Sequence, residues 1–440
     1  MSDVTGCARP ERIVHLGVGA FFRAHQAWYT QHATDAAEWG IVGYTGRSAT
    51  VADELRPQGC KYHLITRGET GDQIDLIESL VRVESGANVA DLVATVAREQ
   101  TAIVTLTITE AGYRVTPDFA LDARDPEVAA DLLILAGSED GAPTTAMGRL
   151  ALALNARRLA GGGAIAIVPC DNMPANGKVA KAALTGFGAA LGVDFVRYLN
   201  SQVSFVTTSI DRITPKTTDA EKQLVAEFSG WADASPVVTE PFSDWVLEGD
   251  FPAGRLNWES AGARFVSEIE PFENRKLWLL NGAHSLLAYA GLNRCHQTVA
   301  EAIGDPALLA RVEEFWDAAC GVLGNYPAAA ELDLPAYRAA LLERFRNGRI
   351  RHNLAQIAND GVTKLRVRIA PTASVSPSAG AFAIGSWAKW ILADTSYVDS
   401  RAAEIEAAKL ASDPTKALVA IIGANLAENQ AFMDQVRAVQ

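Results

Sequence analysis

The sequence predicts an α/β fold, with a doubly wound parallel sheet in the N-terminal part followed by a mainly α-helical C-terminal domain. Three observations carry this. Short apolar runs that end in polar residues recur along the first part of the chain, separated by helix-compatible segments. The first run is followed at once by a glycine-rich turn. Beyond about residue 265 the texture changes to Ala-, Leu- and Glu-rich stretches broken at Gly and Pro.

Taken in order, "RIVHLGVGAFFRAHQAWYT" reads as strand, turn and helix, the order of a first βα unit. "WGIVGYTGR", "TAIVTLTITE" and "AIAIVPCDN" supply further strands of the same kind. Later stretches such as "EAIGDPALLARVEEFWDAACGVL" and "RAAEIEAAKLASDPTKALVAIIGANLAENQAFMDQV" fit amphipathic helices. The expected division is a dinucleotide-type domain over residues 1–265 and a helical substrate and catalytic domain over 266–440, with the cleft between them as the default site.

Composition narrows the class. The 440 residues are 49% hydrophobic and 21% charged, as expected of a globular chain of two or three domains. With 52 acids against 39 Lys and Arg the net charge is −13, which disfavours nucleic acid as a partner. No apolar run has the length of a membrane span, and the N-terminus lacks the order of a secretory signal, so a cytoplasmic protein is expected. Five scattered cysteines without CxxC spacing argue for reduced, mostly buried thiols. No histidine lies at ligand spacing for a closed zinc site, so a metal-free reaction is expected.

In a doubly wound sheet, ligands sit outside the carboxyl ends of the strands. There "GVGAFF" places Gly17 and Gly19 in a tight turn and Ala20 and Phe21 at the start of a helix, suited to a pyrophosphate. Phe22 fills the third small position, so the full G-x-G-x-x-G pattern is absent. Thr107, Thr109 and Glu110 follow another strand, as do Asp171 and Asn172. The second strand ends "YTGRS" with no acid for ribose hydroxyls; Arg47 and Ser48 leave a 2′-phosphate, and so NADP, open.

The stretch "FENRKLWLLNGAHSLLAY" reads as a core helix, Phe272 to Tyr289. On a wheel of 3.6 residues per turn, Lys276, Asn281 and His284 fall at 0°, about 140° and about 80°, one side of the helix. A desolvated lysine there is suited to act as a base, an asparagine amide to donate to an alkoxide and a histidine to fix a hydroxyl. A snorkelling lysine, a capping asparagine and a satisfied core histidine would give the same pattern.

Seven blocks together resemble the mannitol dehydrogenase family of polyol-specific long-chain dehydrogenases and hexuronate reductases: "HLGVGAFFRAHQAWY", "LTITEAGY", "CDNMPANG", "VSFVTTSIDRITP", "EPFSDWVLEGDF", "PFENRKLWLLNGAHSLLAY" and "RHNLAQIANDGVTKL". The resemblance implies a Rossmann-type first domain and metal-independent hydride transfer between NAD, with NADP not excluded, and a secondary alcohol carbon. It implies Lys276 as general acid/base, Asn172 and Asn281 as holders of the alkoxide, His284 as orienter, Glu273 as proton relay and Asp211 as a residue that binds hydroxyls or supports that network.

Within the family the chain looks more like the fructuronate reductases, which makes His352, Lys364 and Arg368 candidates for a sugar-acid carboxylate. It departs from the usual pattern at Ile210, Val362 and Arg366, where valine, serine and proline are common. The expected partner is a small polyol or sugar acid, D-mannonate/D-fructuronate first, and the expected state a monomer or small homo-oligomer. A mannitol 2-dehydrogenase or an arabinitol dehydrogenase is the near alternative, and a catalytically silent cofactor-binding regulator the distant one.

Overall fold

The computed structural model describes residues 9–373, 375–393 and 396–439. The chain divides after Ile269 into two compact units.

Among the described residues the first unit carries twelve strands. They are β1 (Glu11–Leu16), β2 (Gly40–Tyr44), β3 (Tyr62–Arg67), β4 (Asp72–Ile77), β5 (Leu80–Glu84) and β6 (Ile103–Leu106), then β7 (Ile165–Pro169), β8 (Val203–Phe205), β9 (Thr207–Asp211), β10 (Val237–Thr239), β11 (Asp244–Glu248) and β12 (Arg264–Phe265). Six of them form one sheet in the order β5-β2-β1-β6-β7-β8, every pair parallel. From β1 the chain winds out through β2 to β5, then returns to β6 on the other side. That reversal puts the topological switch point at the carboxyl ends of β1 and β6.

The four runs singled out in the sequence are β1, β2, β6 and β7. β2, β6 and β7 are buried at every residue. Their alternate side chains enter two different cores. Ile13, Ile41, Ile103 and Val168 pack in one, and Val14, Val42, Val104 and Ile167 in the other. Covering on both faces is what a continuous apolar strand requires, and each such side chain contributes about 1.5–3 kcal/mol when fully buried.

Two three-stranded sheets, β10-β3-β4 and β12-β11-β9, were not anticipated. β4 is DQIDLI, half polar and partly exposed, and β8, β10 and β12 have only two or three residues. Neither type gives a run of the length or apolarity that marks a buried parallel strand.

The described residues of the second unit are helical apart from connecting turns and an isolated bridge between Thr298 and Asn353. One expectation needs correcting. Phe272 to Tyr289 is not one α-helix: an α-helix at Glu270–Arg275 passes into a π-helix at Lys276–Gly282 and then an α-helix at Ala283–Leu292. Tertiary bonds accompany the wider turn. The Trp316 indole donates to the Leu279 carbonyl at 2.8 Å, and Arg275 Nη1 donates to the Leu332 carbonyl at 2.7 Å. The 3.6-residue wheel therefore does not describe the segment that begins at Lys276.

Of the cysteines, Cys60 and Cys170 are buried free thiols, Cys320 is half-buried and Cys295 is exposed, so burial is less general than expected; Cys7 lies outside the described residues. Among the described residues no helix is long and apolar enough to cross a membrane, and no group of three His, Cys, Asp or Glu is placed to hold a metal.

Candidate active site

In the first unit the turn after β1 is built around Gly17, whose φ is +106°. Its N–H donates to the Tyr44 carbonyl (2.8 Å), and its own carbonyl accepts from Thr107 Oγ1 (2.7 Å) and from His15 Nε2 (3.1 Å). A Cβ at Gly17 would stand 2.2 Å from the Thr107 carbonyl oxygen. Only glycine lets the ends of β1, β2 and β6 close together here. His15 also meets Thr105 Oγ1 at 2.8 Å and stacks on Phe22, ring centroids 3.6 Å apart. That packing explains why a phenylalanine occupies the third small position. The helix after the turn has only five residues, Ala20–Ala24, and breaks at His25 before Gln26–His32.

A cavity of about 570 Å³ opens at this switch point. Gly17, Arg47, Thr107 and Thr109 line it, while Gly19, Ala20, Phe21 and Glu110 are not among its lining residues. The sequence reading missed Thr45, Gly46, Gly86, Arg114, Glu127 and Arg149, which also line it. Gly86 follows a strand whose body, "LVRVE", alternates apolar and charged residues, a signal that was available. Arg149 comes from a distant helix start and has no local motif. The volume suits a small-molecule ligand, and the Gly17 turn leaves the close backbone approach that a dinucleotide pyrophosphate needs.

Past β7, Asp171 and Asn176 shape the turn that carries Asn172. Tyr113 donates its hydroxyl to Asp171 Oδ2, the Met173 N–H donates to Oδ1 at 3.1 Å, and Thr208 N–H donates to Asn176 Oδ1 at 2.9 Å. Burial raises the Asp171 carboxyl above its ordinary range. Asn172 itself is exposed within this chain. Asp211 ends β9 in register with Asp244 of β11 and is half-buried. Its neighbour Arg212 is buried and donates to the Ala24 and Glu240 carbonyls, at 2.5 and 3.2 Å.

In the second unit, Lys276 opens the π-helix and Asn281 lies five residues on, both half-buried. The i→i+5 repeat puts them one turn apart on the same face, where an α-helix would turn them about 140° away from each other. Glu273 is half-buried in the preceding helix, three residues before Lys276. His284 is 6% exposed, with its ring 4.8 Å from that of His352 and 4.9 Å from Phe345. Arg368 Nη1 reaches Ser285 Oγ at 3.3 Å and the Asn281 carbonyl at 3.4 Å. Lys364 Nζ donates to the Ile357 carbonyl at 3.0 Å. Asn281, His284, His352 and Arg368 thus share one neighbourhood, while the Lys364 amine is turned to backbone. Asn274, without a role in the sequence reading, donates to the Tyr326 hydroxyl at 2.8 Å.

Burial sets the charges. It pushes the Arg368 guanidinium down to about 10, and it lowers Lys364, with Arg368 adding to the effect. His284 is held well below the usual histidine range, first by burial and then by the positive charges of His352, Arg344 and Arg368. A neutral imidazole offers one donor and one acceptor, the pair needed to orient a hydroxyl.

Residues 11–260 match the family description Mannitol dehydrogenase Rossmann domain, and residues 268–438 match Mannitol dehydrogenase C-terminal domain. The chain belongs to the mannitol dehydrogenase family. It is an oxidoreductase. Among its relatives, the D-mannonate oxidoreductase of Escherichia coli (strain K12) is 36% identical over 371 residues, 81% of this chain and 74% of that protein. Among solved structures, the Pseudomonas fluorescens mannitol 2-dehydrogenase ternary complex with NAD and D-mannitol is 30% identical with a TM-score of 0.78, covering 99% of this chain and 92% of that one. A substrate-free D-sorbitol dehydrogenase is 28% identical with a TM-score of 0.89, covering 98% and 93%.

The buried histidines of this family member make its stability depend on pH. His15 is lowered to about 3 by burial, and His284 is lowered as well. Below the unfolded value of 6.5 the unfolded chain binds these protons and the folded one does not, so stability falls as pH falls below about 6.5. Each contributes a slope of about 1.4 kcal/mol per pH unit until its folded value is reached. Urea midpoints compared at about pH 7.5 and about pH 5.5 should drop accordingly; a midpoint that stays level or rises would refute the assignment of neutral, buried rings.

Proposed function

We propose that the protein interconverts D-fructuronate and D-mannonate with a nicotinamide dinucleotide held at the Gly17 turn. The observation that carries the choice of a sugar acid is Arg368. Among the described residues no carboxylate pairs with this half-buried guanidinium, whose hydrogen bonds go to Ser285 Oγ and the Asn281 carbonyl. A desolvated cation without an acid is stabilised by an anionic ligand, and a planar carboxylate matches the guanidinium fork. The 36% identity to a D-mannonate oxidoreductase supports the same substrate.

When bound, NAD supplies the hydride acceptor. In the oxidising direction, Lys276 takes the proton of the substrate hydroxyl as the C–H bond is broken. Asn281 donates an amide N–H bond to the oxygen as it gains negative charge, the role the family resemblance also gives Asn172, which stabilises that charge without a titrating group. The neutral His284 orients the hydroxyl, and Glu273 passes the proton from Lys276 towards water. Asp211 binds a further hydroxyl, and Arg368 with His352 receives the carboxylate, while the Lys364 amine stays on the Ile357 carbonyl. A nearby cationic cluster also favours the anionic form of the developing alkoxide, so the carboxylate site and the proton site act in the same sense.

Turnover with D-fructuronate and with fructose tests the substrate. A charge-assisted pair at Arg368 contributes about 1.5–3 kcal/mol, so kcat/KM for fructuronate should exceed that for fructose by about 10- to 100-fold. Preference for the uncharged ketose would overturn the sugar-acid assignment and favour a polyol dehydrogenase.

A further inference from the structure

The dinucleotide cavity contains a cation whose use the proposed reaction does not explain. β2 runs out into Thr45-Gly46-Arg47, so no carboxylate stands where ribose hydroxyls are commonly held. The sequence pointed to Arg47 and Ser48 for a 2′-phosphate, and the structure gives both other engagements. The Arg47 side chain is 86% exposed and lies 3.5 Å from Glu127. Ser48 Oγ bonds to Thr50 Oγ1 at 2.7 Å and accepts from the Thr50 N–H at 3.1 Å. Arg114, also lining the cavity, is held by Asp125 at 2.7 Å and by Glu127.

Arg149 differs from both. It lines the same cavity, is half-buried, and donates Nε to the Pro143 carbonyl at 3.2 Å. Among the described residues no carboxylate forms a hydrogen bond or ion pair with it. Asp131, the acid whose charge it feels, is already occupied by the N–H and hydroxyl groups of Thr144 and Thr145. Burial lowers the Arg149 guanidinium, which marks a cation short of compensation.

Its position names the ligand. A Cβ at Gly86 would stand 3.1 Å from Arg149 Nη1, and 2.1 and 2.7 Å from the carbonyl oxygens of Thr45 and Gly46. The guanidinium and the end of β2 therefore meet at a glycine, beside the place where a dinucleotide fold reads the ribose. We propose that Arg149 receives the 2′-phosphate of NADP(H), so that the protein accepts NADP(H) alongside NAD(H). A guanidinium donates two parallel N–H bonds to a phosphate, a match that a ribose hydroxyl does not offer.

The inference rests on the reading of this cavity as the dinucleotide site, and its test separates the two. Binding of 2′,5′-ADP and of ADP to the full-length protein is measured directly, and kcat/KM is measured with NADPH and NADH. The unmodified protein should bind 2′,5′-ADP at least as tightly as ADP, and in Arg149→Ala the ratio of NADPH to NADH kcat/KM should fall by about 10- to 100-fold. Arg149→Lys keeps the charge but loses the fork, so its ratio should lie between those of the other two proteins. An unchanged ratio in Arg149→Ala, or clearly weaker binding of 2′,5′-ADP than of ADP by the unmodified protein, overturns the inference while leaving the cavity's assignment intact. Failure of both nucleotides to bind would instead remove the dinucleotide reading itself.

Discussion

Replacing Lys276 with alanine lowers kcat by about 10²- to 10⁴-fold, the usual contribution of a positioned acid or base, and leaves dinucleotide affinity near that of the unmodified protein. The lysine is half-buried at the first residue of the π-helix, with Asn281 one wide turn further on. On the proposed mechanism, removal of the amine leaves the alkoxide formed by hydride transfer from NADH without a proton donor, while Gly17, Thr107 and the cavity around them belong to the other unit and keep their geometry. The loss should therefore appear in kcat rather than in the nucleotide dissociation constant. Rapid mixing with NADH and the sugar acid measures the first and a fluorescence titration the second. Near-native turnover in this variant would show that another group moves the proton.

Gly17→Ala is expected to destabilise the protein by about 2–4 kcal/mol and to weaken dinucleotide binding at least about tenfold. Two effects add. The backbone at Gly17 has φ +106°, which an alanine rarely adopts, and the new Cβ would meet the Thr107 carbonyl oxygen at 2.2 Å. Relief would require β6 to move away from β1 at the switch point, which opens the turn proposed to hold the pyrophosphate. Gly59→Ala separates the two effects, because Gly59 has φ +66° with no atom within 4 Å of a Cβ. It should show the backbone strain alone, with nucleotide affinity unaffected. Nucleotide binding by Gly17→Ala at the unmodified protein's level would mean that the turn does not carry the dinucleotide.

The parallel sheet was legible because β2, β6 and β7 are buried at every residue and β1 from Ile13 onward, so that they read as largely apolar runs. The smaller sheets were not, because β4 shows polar residues to solvent and β10 and β12 are too short for any periodicity. Lys276, Asn281 and His284 were visible as polar residues in an apolar segment, but their placement on one side came from a wheel that does not apply. The π geometry comes with bonds to partners distant in sequence, Trp316 to the Leu279 carbonyl and Arg275 to the Leu332 carbonyl, which no local spacing contains. Around the cavity, Gly17 and Thr107 were visible as strand ends. Arg149 was not, since its place beside Gly86 arises only when the start of the helix Ala146–Ala160 comes near the turn after β5. His352 and Arg368 entered through resemblance alone. The structure places His352 against the His284 ring and Arg368 against Ser285, contacts that no sequence spacing contains.

The central claim is that this chain moves hydride between a nicotinamide and a secondary alcohol carbon of an open-chain sugar acid, with Lys276 handling the proton and no metal required. Consumption of NADH by the unmodified, chelator-treated protein on mixing with D-fructuronate, with the product identified, tests it most directly. The account predicts one D-mannonate formed for each NADH consumed, at a rate the chelator does not change. Loss of turnover that returns only when a divalent metal is restored, or NADH left unconsumed with the sugar acid and with uncharged ketoses alike, would contradict it.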